Sequence, residues 1–94
     1  MGVLNDAELA AFAADHPGWS AGPSGLEGEF TFADFTEAFS FMTRIALMAE
    51  RANHHPDMSI SWNRLIVRLV THSAGGVTDA DTALAVAIDR ISRP

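Results

Sequence analysis

The sequence predicts one small α+β domain over residues 1–94, with helices packed on one face of a four-stranded antiparallel sheet. Apolar and polar residues alternate in two pairs of short segments, which is the period of strands with one buried face. Three other segments carry apolar residues three and four positions apart, as amphipathic helices do. These segments follow the order α-β-β-α-β-β-α, and a chain of 94 residues has room for a single hydrophobic core.

The start of the chain carries the signals of a helix followed by a β-hairpin. A short helix is predicted over residues 4–14, because apolar residues recur there at helical spacing and Pro17-Gly18 follows as a stop. A strand is predicted from Trp19, and residues 22–25 contain the glycines and the proline of a tight connection. Residues 26–32 then alternate between apolar and polar, so the two segments are predicted to pair.

A longer amphipathic helix is predicted over residues 34–52. Asp34 and Glu37 have the spacing of a capping box at its start. Pro56 is expected to end this helix, because the residue before a proline is pushed towards extended geometry. The pair His54-His55 is therefore expected at a junction between the helix and the next strand.

A second pair of strands and a last helix complete the predicted fold. Residues 58–63 and 65–70 both alternate, and their tight connection near Asn63 is compatible with a β-bulge. Thr78 and Asp81 then have capping-box spacing in its shorter acidic form, ahead of another apolar stripe. The last helix is therefore predicted to begin close to Thr78.

Composition narrows the classes of function. Twelve acidic residues against six basic ones give a formal charge of −6, and no basic run is present, so nucleic-acid binding is not expected. The absence of cysteine excludes a disulfide framework and thiolate chemistry. With no long apolar run and no basic, apolar start, a cytoplasmic protein without membrane contact is expected. Self-association is also expected, because a small domain gains stability by covering an exposed sheet edge.

The polar residues that could carry chemistry gather at the element junctions: Glu50, His54, His55, His72 and Asp81. Imidazole titrates near neutral pH, so two histidines can divide the roles of acid and base. Structural interpretations stay open: the adjacent histidines could only cap a helix C-terminus, Asp81 could only cap the last helix, and Glu50 could be solvated. A metal site is a third interpretation, although adjacent histidines diverge and no familiar ligand spacing is present.

Several spaced motifs resemble the pterin-4a-carbinolamine dehydratase family. They are Glu50-Arg51-Ala52-Asn53-His54-His55-Pro56, Trp62-Asn63, Thr71-His72, and Gly75-Gly76-Val77-Thr78 leading to Asp81. The resemblance covers roughly residues 19–91, and its specificity comes from the whole set occurring in order at matching separations. It implies the same α+β fold, with association through the sheet into a homodimer or homotetramer.

The resemblance also implies an activity and a set of site residues. The activity is dehydration of a 4a-hydroxytetrahydropterin to the quinonoid dihydropterin by a hydro-lyase, without a cofactor or metal, in the recycling of tetrahydrobiopterin. A functional link to an aromatic amino-acid hydroxylase is implied as well. The matching positions make His54 and His72 the catalytic acid and base. They assign substrate binding to Glu50, His55, Trp62, Thr71 and Asp81.

Some positions depart from the family pattern. Met58 stands where many members carry tryptophan, and Trp62 stands where tyrosine is usual, so the identity of the pterin stays open. Two other functions remain as alternatives. One is a protein-interaction module, because an animal member of the family stabilises dimers of a homeodomain transcription factor. The other is a relative that keeps the fold as an assembly factor, which the three intact histidines disfavour.

Overall fold

The computed structural model describes residues 2–22 and 24–92 and confirms the predicted α+β fold and element order. No helix in these ranges is long and apolar enough to cross a membrane. A short 3-10 helix, His72–Ala74, lies between the last strand and the last helix. The other elements are α1 (Asp6–Asp15), β1 (Trp19–Gly22), β2 (Gly25–Thr31), α2 (Phe35–Ala52), β3 (Asp57–Ser61), β4 (Arg64–Leu69) and α3 (Asp79–Ser92).

The four strands form one antiparallel sheet in the order β1-β2-β4-β3. Strands β1 and β2 form one hairpin, and β3 and β4 form the other. The two hairpins join through β2 and β4, where Leu26 lies opposite Leu69 and Phe30 opposite Leu65. Strands β1 and β3 are therefore the edges of the sheet.

The helices cover one face of this sheet. Side chains of α2 and α3, including Ile45 and Ile88, pack in one core cluster with the inward side chains of the central strands. Between these inward positions lie charged residues, and Glu27 pairs with Arg68 at 2.8 Å across the strands. The sheet therefore has one apolar and one polar face, as the alternation predicts. The fully buried strand residues are Leu26, Leu65, Val67 and Leu69.

Helix α2 begins directly after Asp34, its predicted cap, and ends at Ala52 as predicted, but its end has a different cause from the predicted one. At its start, the Asp34 carboxylate accepts a hydrogen bond from the Glu37 N–H at 2.9 Å. At its end, Asn53 adopts the left-handed conformation with φ 52°, and the N–H groups of Asn53 and His54 bond to carbonyls of the last turn. Asparagine tolerates this conformation better than most residues. Asn53, rather than Pro56, therefore ends the helix.

The connection between β3 and β4 is a two-residue turn, Trp62 and Asn63. Pairing runs without interruption from Ser61 opposite Arg64 to Asp57 opposite Arg68, so the bulge considered near Asn63 does not occur in these strands. Trp62 adopts a positive φ of 51°. The Asn63 side-chain amide donates to the Phe32 carbonyl at 2.9 Å, which ties the turn to the chain just after β2.

Candidate active site

The three predicted site histidines lie at one corner of the molecule, where α2 ends, β3 begins and β4 ends. His54 and His55 occupy the junction between α2 and β3, as predicted, and His72 opens the short helix after β4. Asp57, the first residue of β3, pairs with Arg68 near the end of β4. Because the two strands are antiparallel, the start of one and the end of the other meet at the same end of the sheet.

Asp81 is the buried anchor of this corner. Its side chain has no exposed surface. One carboxylate oxygen, Oδ1, lies 2.5 Å from His54 Nε2, and the other, Oδ2, accepts from the Thr78 N–H at 2.9 Å and the Thr71 hydroxyl at 2.8 Å. These partners offset the cost of burying a charged group. Asp81 therefore caps α3, as predicted, and holds His54 with the same carboxylate.

The loop between β4 and α3 brings Thr71 to Asp81. Thr71 pairs with Gly76 in an isolated antiparallel bridge, and Gly75 closes the turn between them with a positive φ of 81°. The hydroxyls of Thr71 and Thr78 lie 2.8 Å apart. Because Thr71 donates its proton to Asp81, Thr78 is the donor in the contact between the threonines. The loop thus supplies a continuous set of hydrogen bonds behind the carboxylate.

The contact with Asp81 engages one ring nitrogen of His54, and the other has no hydrogen-bond partner within residues 2–22 and 24–92. The His54 side chain is only 17% exposed, and its Nε2 faces the carboxylate. A carboxylate has no proton to donate, so Nε2 carries the proton of the neutral ring and Nδ1 is left as the acceptor. A carboxylate partner of this kind sets both the tautomer and the orientation of a histidine.

A groove of about 600 Å³ between α2 and α3 adjoins His54, which forms part of its wall. The size is typical of a small-molecule site. The groove wall is mostly apolar and includes Met48, Leu84, Ala87 and Ile91. Arg51 and Arg90 also line it, and sequence reasoning assigned neither of them a role. No local pattern links the two arginines, since they come to one groove only when the helices pack.

His55 and Glu50 form a separate pair on the surface. The distance from His55 Nε2 to Glu50 Oε1 is 2.7 Å, and the side chains are 58% and 79% exposed. The left-handed turn at Asn53 lets the two residues meet across the end of α2. A pair this exposed contributes little to stability, so both side chains are available to a ligand.

His72 is the most exposed of the three histidines. Its side chain is 80% exposed, and its nearest carboxylate is that of Asp57, with 3.9 Å between Nε2 and Oδ2. It follows Thr71 directly and is thus close to the group that holds His54. However, neither His55 nor His72 lines the groove at His54. A single concave pocket for all three histidines stays a prediction.

Trp62 lies far from the corner that contains the other predicted site residues. It follows β3, whereas the corner lies at the start of that strand near Asp57. An extended strand rises about 3.3 Å per residue, so the two positions are about 16 Å apart. Trp62 is also 63% exposed. The expectation that Trp62 binds the same substrate is therefore not supported within one copy of the chain, because the length of β3 separates it from the histidines.

The titratable groups of the corner are arranged as pairs, since each histidine has its own nearest carboxylate. Within residues 2–22 and 24–92, no three His, Asp or Glu side chains converge in the manner of metal ligands. Imidazole and carboxylate side chains held beside a groove can accept and deliver protons to a bound molecule. The chemistry that this arrangement suits is acid–base catalysis.

Comparison with known proteins gives a match over nearly the whole chain. The family model described as pterin 4 alpha carbinolamine dehydratase matches residues 2–91. Two bacterial relatives are each named as a proposed pterin-4-alpha-carbinolamine dehydratase. The relative from Rhodospirillum rubrum is 49% identical over 90 residues, which are 94% of each chain. The relative from Chloroflexus aurantiacus is 46% identical over 91 residues, which are 97% of this chain and 98% of the other.

Two solved structures share the fold. A Brucella melitensis protein described as a transcriptional coactivator/pterin dehydratase has a TM-score of 0.91 at 35% identity, covering 98% of this chain and 100% of the other. A pterin dehydratase-like protein described as a RuBisCO assembly factor of the alpha-carboxysome has a TM-score of 0.64 at 19% identity, covering 79% and 86%, and shares the fold alone. From the match over residues 2–91 and the relatives at 46% and 49% identity, the chain belongs to the pterin-4a-carbinolamine dehydratase family of hydro-lyases.

Proposed function

We propose that the protein removes water from a 4a-hydroxytetrahydropterin and releases the quinonoid dihydropterin by histidine acid–base catalysis. The observation that carries this proposal is the contact of His54 with the buried Asp81, which leaves the other ring nitrogen of His54 free. The family membership supplies the reaction class. The groove beside His54 is of a size that accepts a bicyclic ring.

The reaction needs two proton transfers and no added oxidant or reductant. As the C4a–O bond breaks, the lone pair of N5 forms the C4a=N5 double bond. The hydroxyl leaves as water when it gains a proton from an acid, and N5 loses its proton to a base. One neutral and one protonated imidazole can perform both transfers, which typically accelerates a reaction by about 10² to 10⁴.

His54 is the base in this proposal. Its Nδ1 takes the proton from N5, and the Asp81 carboxylate then stabilises the imidazolium through a charge-assisted hydrogen bond. Thr71 acts through Asp81, because its hydroxyl is already committed to that carboxylate. Asp81 and Thr71 thus position the base, and neither needs to touch the pterin.

His72 is the proposed acid, and His55 with Glu50 binds the pterin. The high exposure of His72 allows it to recover a proton from solvent after each turnover. The exposed pair of His55 and Glu50 offers a donor and an acceptor to the polar edge of the pterin ring. No cofactor or metal takes part, since the electrons of the pterin itself expel the hydroxyl.

The product of this reaction becomes a tetrahydropterin again once it is reduced. We therefore propose a role in tetrahydrobiopterin recycling, linked to an aromatic amino-acid hydroxylase that forms the 4a-hydroxy compound. We further propose that the protein acts in the cytoplasm as a homodimer or homotetramer joined through its sheet. The free edges at β1 and β3 support such an assembly, because unpaired edge strands invite pairing.

A dehydratase assay with three histidine variants tests the proposal. The substrate is generated in the assay, dehydration is followed by absorbance, and the uncatalysed rate is subtracted at each pH. His54→Ala and His72→Ala should each lower kcat by about 10² or more. His16→Ala is the matched control, because the His16 ring bonds to the Phe12 carbonyl and stacks on the Phe12 ring at the end of α1, and this variant should keep the full rate. Folded variants at both corner positions with unchanged kcat would contradict the mechanism.

A further inference from the structure

We propose that the groove between α2 and α3 selects pterins that carry an anionic tail on C6, and that Arg51 and Arg90 bind the tail. This inference rests on the proposed dehydration, because it takes the reacting ring to lie at His54. It names a substrate class, a pterin whose tail has an aromatic ring followed by carboxylates.

The groove leads away from the proposed base. His54 and Ala80 lie at one end, where the C-terminus of α2 meets the N-terminus of α3 through the contact of His54 with Asp81. The lining continues along α3 to Arg90 and Ile91. Ala80 and Arg90 are separated by a rise of about 15 Å, at about 1.5 Å per helical residue. A ring bound at His54 therefore has room for a long substituent along α3.

The apolar lining favours an aromatic segment in that substituent. Ala83 and Ala87 are small, and Met48 and Leu84 supply the larger apolar contacts. An aryl group can bury its faces on such a surface. A short hydroxylated tail would instead give up hydration without gaining hydrogen-bond partners there. The lining therefore distinguishes an arylated tail from a small polyol tail.

The two arginines supply the charge that an anionic tail requires. Within residues 2–22 and 24–92, no carboxylate lies within ion-pair distance of either one. The acidic residue next to each arginine in sequence has another partner, since Glu50 contacts His55 and Asp89 accepts from the Trp19 indole. Guanidinium groups bind carboxylates and phosphates through paired hydrogen bonds. Among the described residues, the groove therefore holds two cations without an ion-pair partner, although the net charge of the chain is −6.

The positions of the two arginines distinguish a phosphate from carboxylates as the source of the negative charge on the tail. Arg51 lies in the last turn of α2, close to His54, whereas Arg90 lies in the last turn of α3, at the far end of the groove. A phosphate ester directly on the C6 side chain could reach only Arg51. Carboxylates beyond an aryl ring can reach Arg90, and the length of the apolar lining favours this second source.

Binding of stable, oxidised pterins tests the proposal without turnover. Isothermal titration calorimetry would compare pteroylglutamate with its dimethyl ester, which keeps the aryl ring and removes the charge. The wild-type protein should bind the free acid about tenfold more tightly than the ester. Arg51→Gln and Arg90→Gln should each reduce this preference by about 3- to 10-fold. Arg44→Gln is the matched control, because Arg44 lies on α2 outside the groove and the variant loses the same charge.

The outcomes separate the two proposals. Equal binding of acid and ester, or an equal loss of preference in Arg44→Gln, would overturn the groove assignment, as would a second copy covering the groove. Preference for 6-hydroxymethylpterin phosphate that depends on Arg51 alone would retain the anionic tail and overturn the aryl segment. Dehydration of a 6-methyl substrate is measured in parallel. If the 6-methyl substrate is turned over but the anionic tail gives no binding preference, only the proposed tail site in the groove is refuted. If the tail is preferred but no substrate is turned over, only the proposed dehydratase activity is refuted.

Discussion

Replacement of Asp81 by asparagine should remove most of the catalytic rate and leave the fold largely intact. Asparagine has nearly the same shape, and its oxygen can still accept from the Thr78 N–H and the Thr71 hydroxyl. Its NH₂ group would then face His54 Nε2 and donate to it. That contact forces the proton of the neutral ring onto Nδ1, so the nitrogen that should take a proton from N5 is blocked.

The expected magnitudes follow from these contacts. Loss of the base should lower kcat by about 10² to 10⁴, with little change in KM. Stability should fall by about 1–2 kcal/mol, because the hydrogen bonds lose their charge assistance and α3 loses one negative charge in its first turn. Asp81→Ala should cost more, about 3–5 kcal/mol, since it leaves the buried donors of Thr71 and Thr78 without an acceptor.

Stopped-flow dehydration kinetics and thermal unfolding measure the two effects separately. Asp79→Asn is the matched control, because Asp79 is an exposed acidic residue in the same first turn of α3, and the carboxylate that His54 contacts is that of Asp81. Asp79→Asn should lose a similar interaction with the N-terminus of α3 and keep the kcat of the wild type. If folded Asp81→Asn retained kcat within about threefold of the wild type, the carboxylate would not set the state of the base, and its role would be structural alone.

Four further outcomes are expected. His72→Ala should lower kcat by about 10² with little change in KM, whereas His55→Ala should chiefly raise KM, and steady-state kinetics distinguishes them. Elemental analysis should find no stoichiometric transition metal, and chelator should leave the rate unchanged; a metal required for turnover would contradict the mechanism. Light scattering at tens of micromolar should show a dimer or tetramer, and a stable monomer would count against the sheet interface. Asn53→Ala should lower the free energy of unfolding by about 1 kcal/mol, because alanine is strained at φ 52°. Denaturant unfolding measures this change, and an unchanged free energy would contradict the role of Asn53.

The sequence predicts the elements well where local signals decide them. Helix α2 starts at a side-chain cap and presents apolar residues at one spacing throughout, so its bounds follow from residues within a few positions of each end. The predicted cause of its C-terminus was wrong, although the signal that does end the helix is also local. Asn53 carried its own signal for the left-handed conformation, and Pro56 lies too far along the chain to act on the last turn.

The candidate site is less accessible to sequence reasoning, because its contacts join residues from separate elements. The meeting of His54 with Asp81 depends on how α2 and α3 pack, and the spacing of Thr78 and Asp81 alone predicts only a cap. The gathering of Arg51 and Arg90 in one groove depends on the same packing. Trp62 was grouped with the histidines because it belongs to the same set of sequence motifs. The motifs do not reveal that the length of β3 separates Trp62 from the histidines.

The contact of His54 with Asp81 also explains why this small domain can hold a charged group in its interior. His54 lies just beyond the C-terminus of α2, and Asp81 lies in the first turn of α3. The carbonyls at the end of the first helix attract positive charge, and the N–H groups at the start of the second attract negative charge. An imidazolium formed at His54 would therefore meet favourable partners on both sides, the carboxylate and the helix end. The same arrangement joins α2 to α3, so the contact that would serve proton transfer in the proposed mechanism also helps to fix the packing that forms the groove.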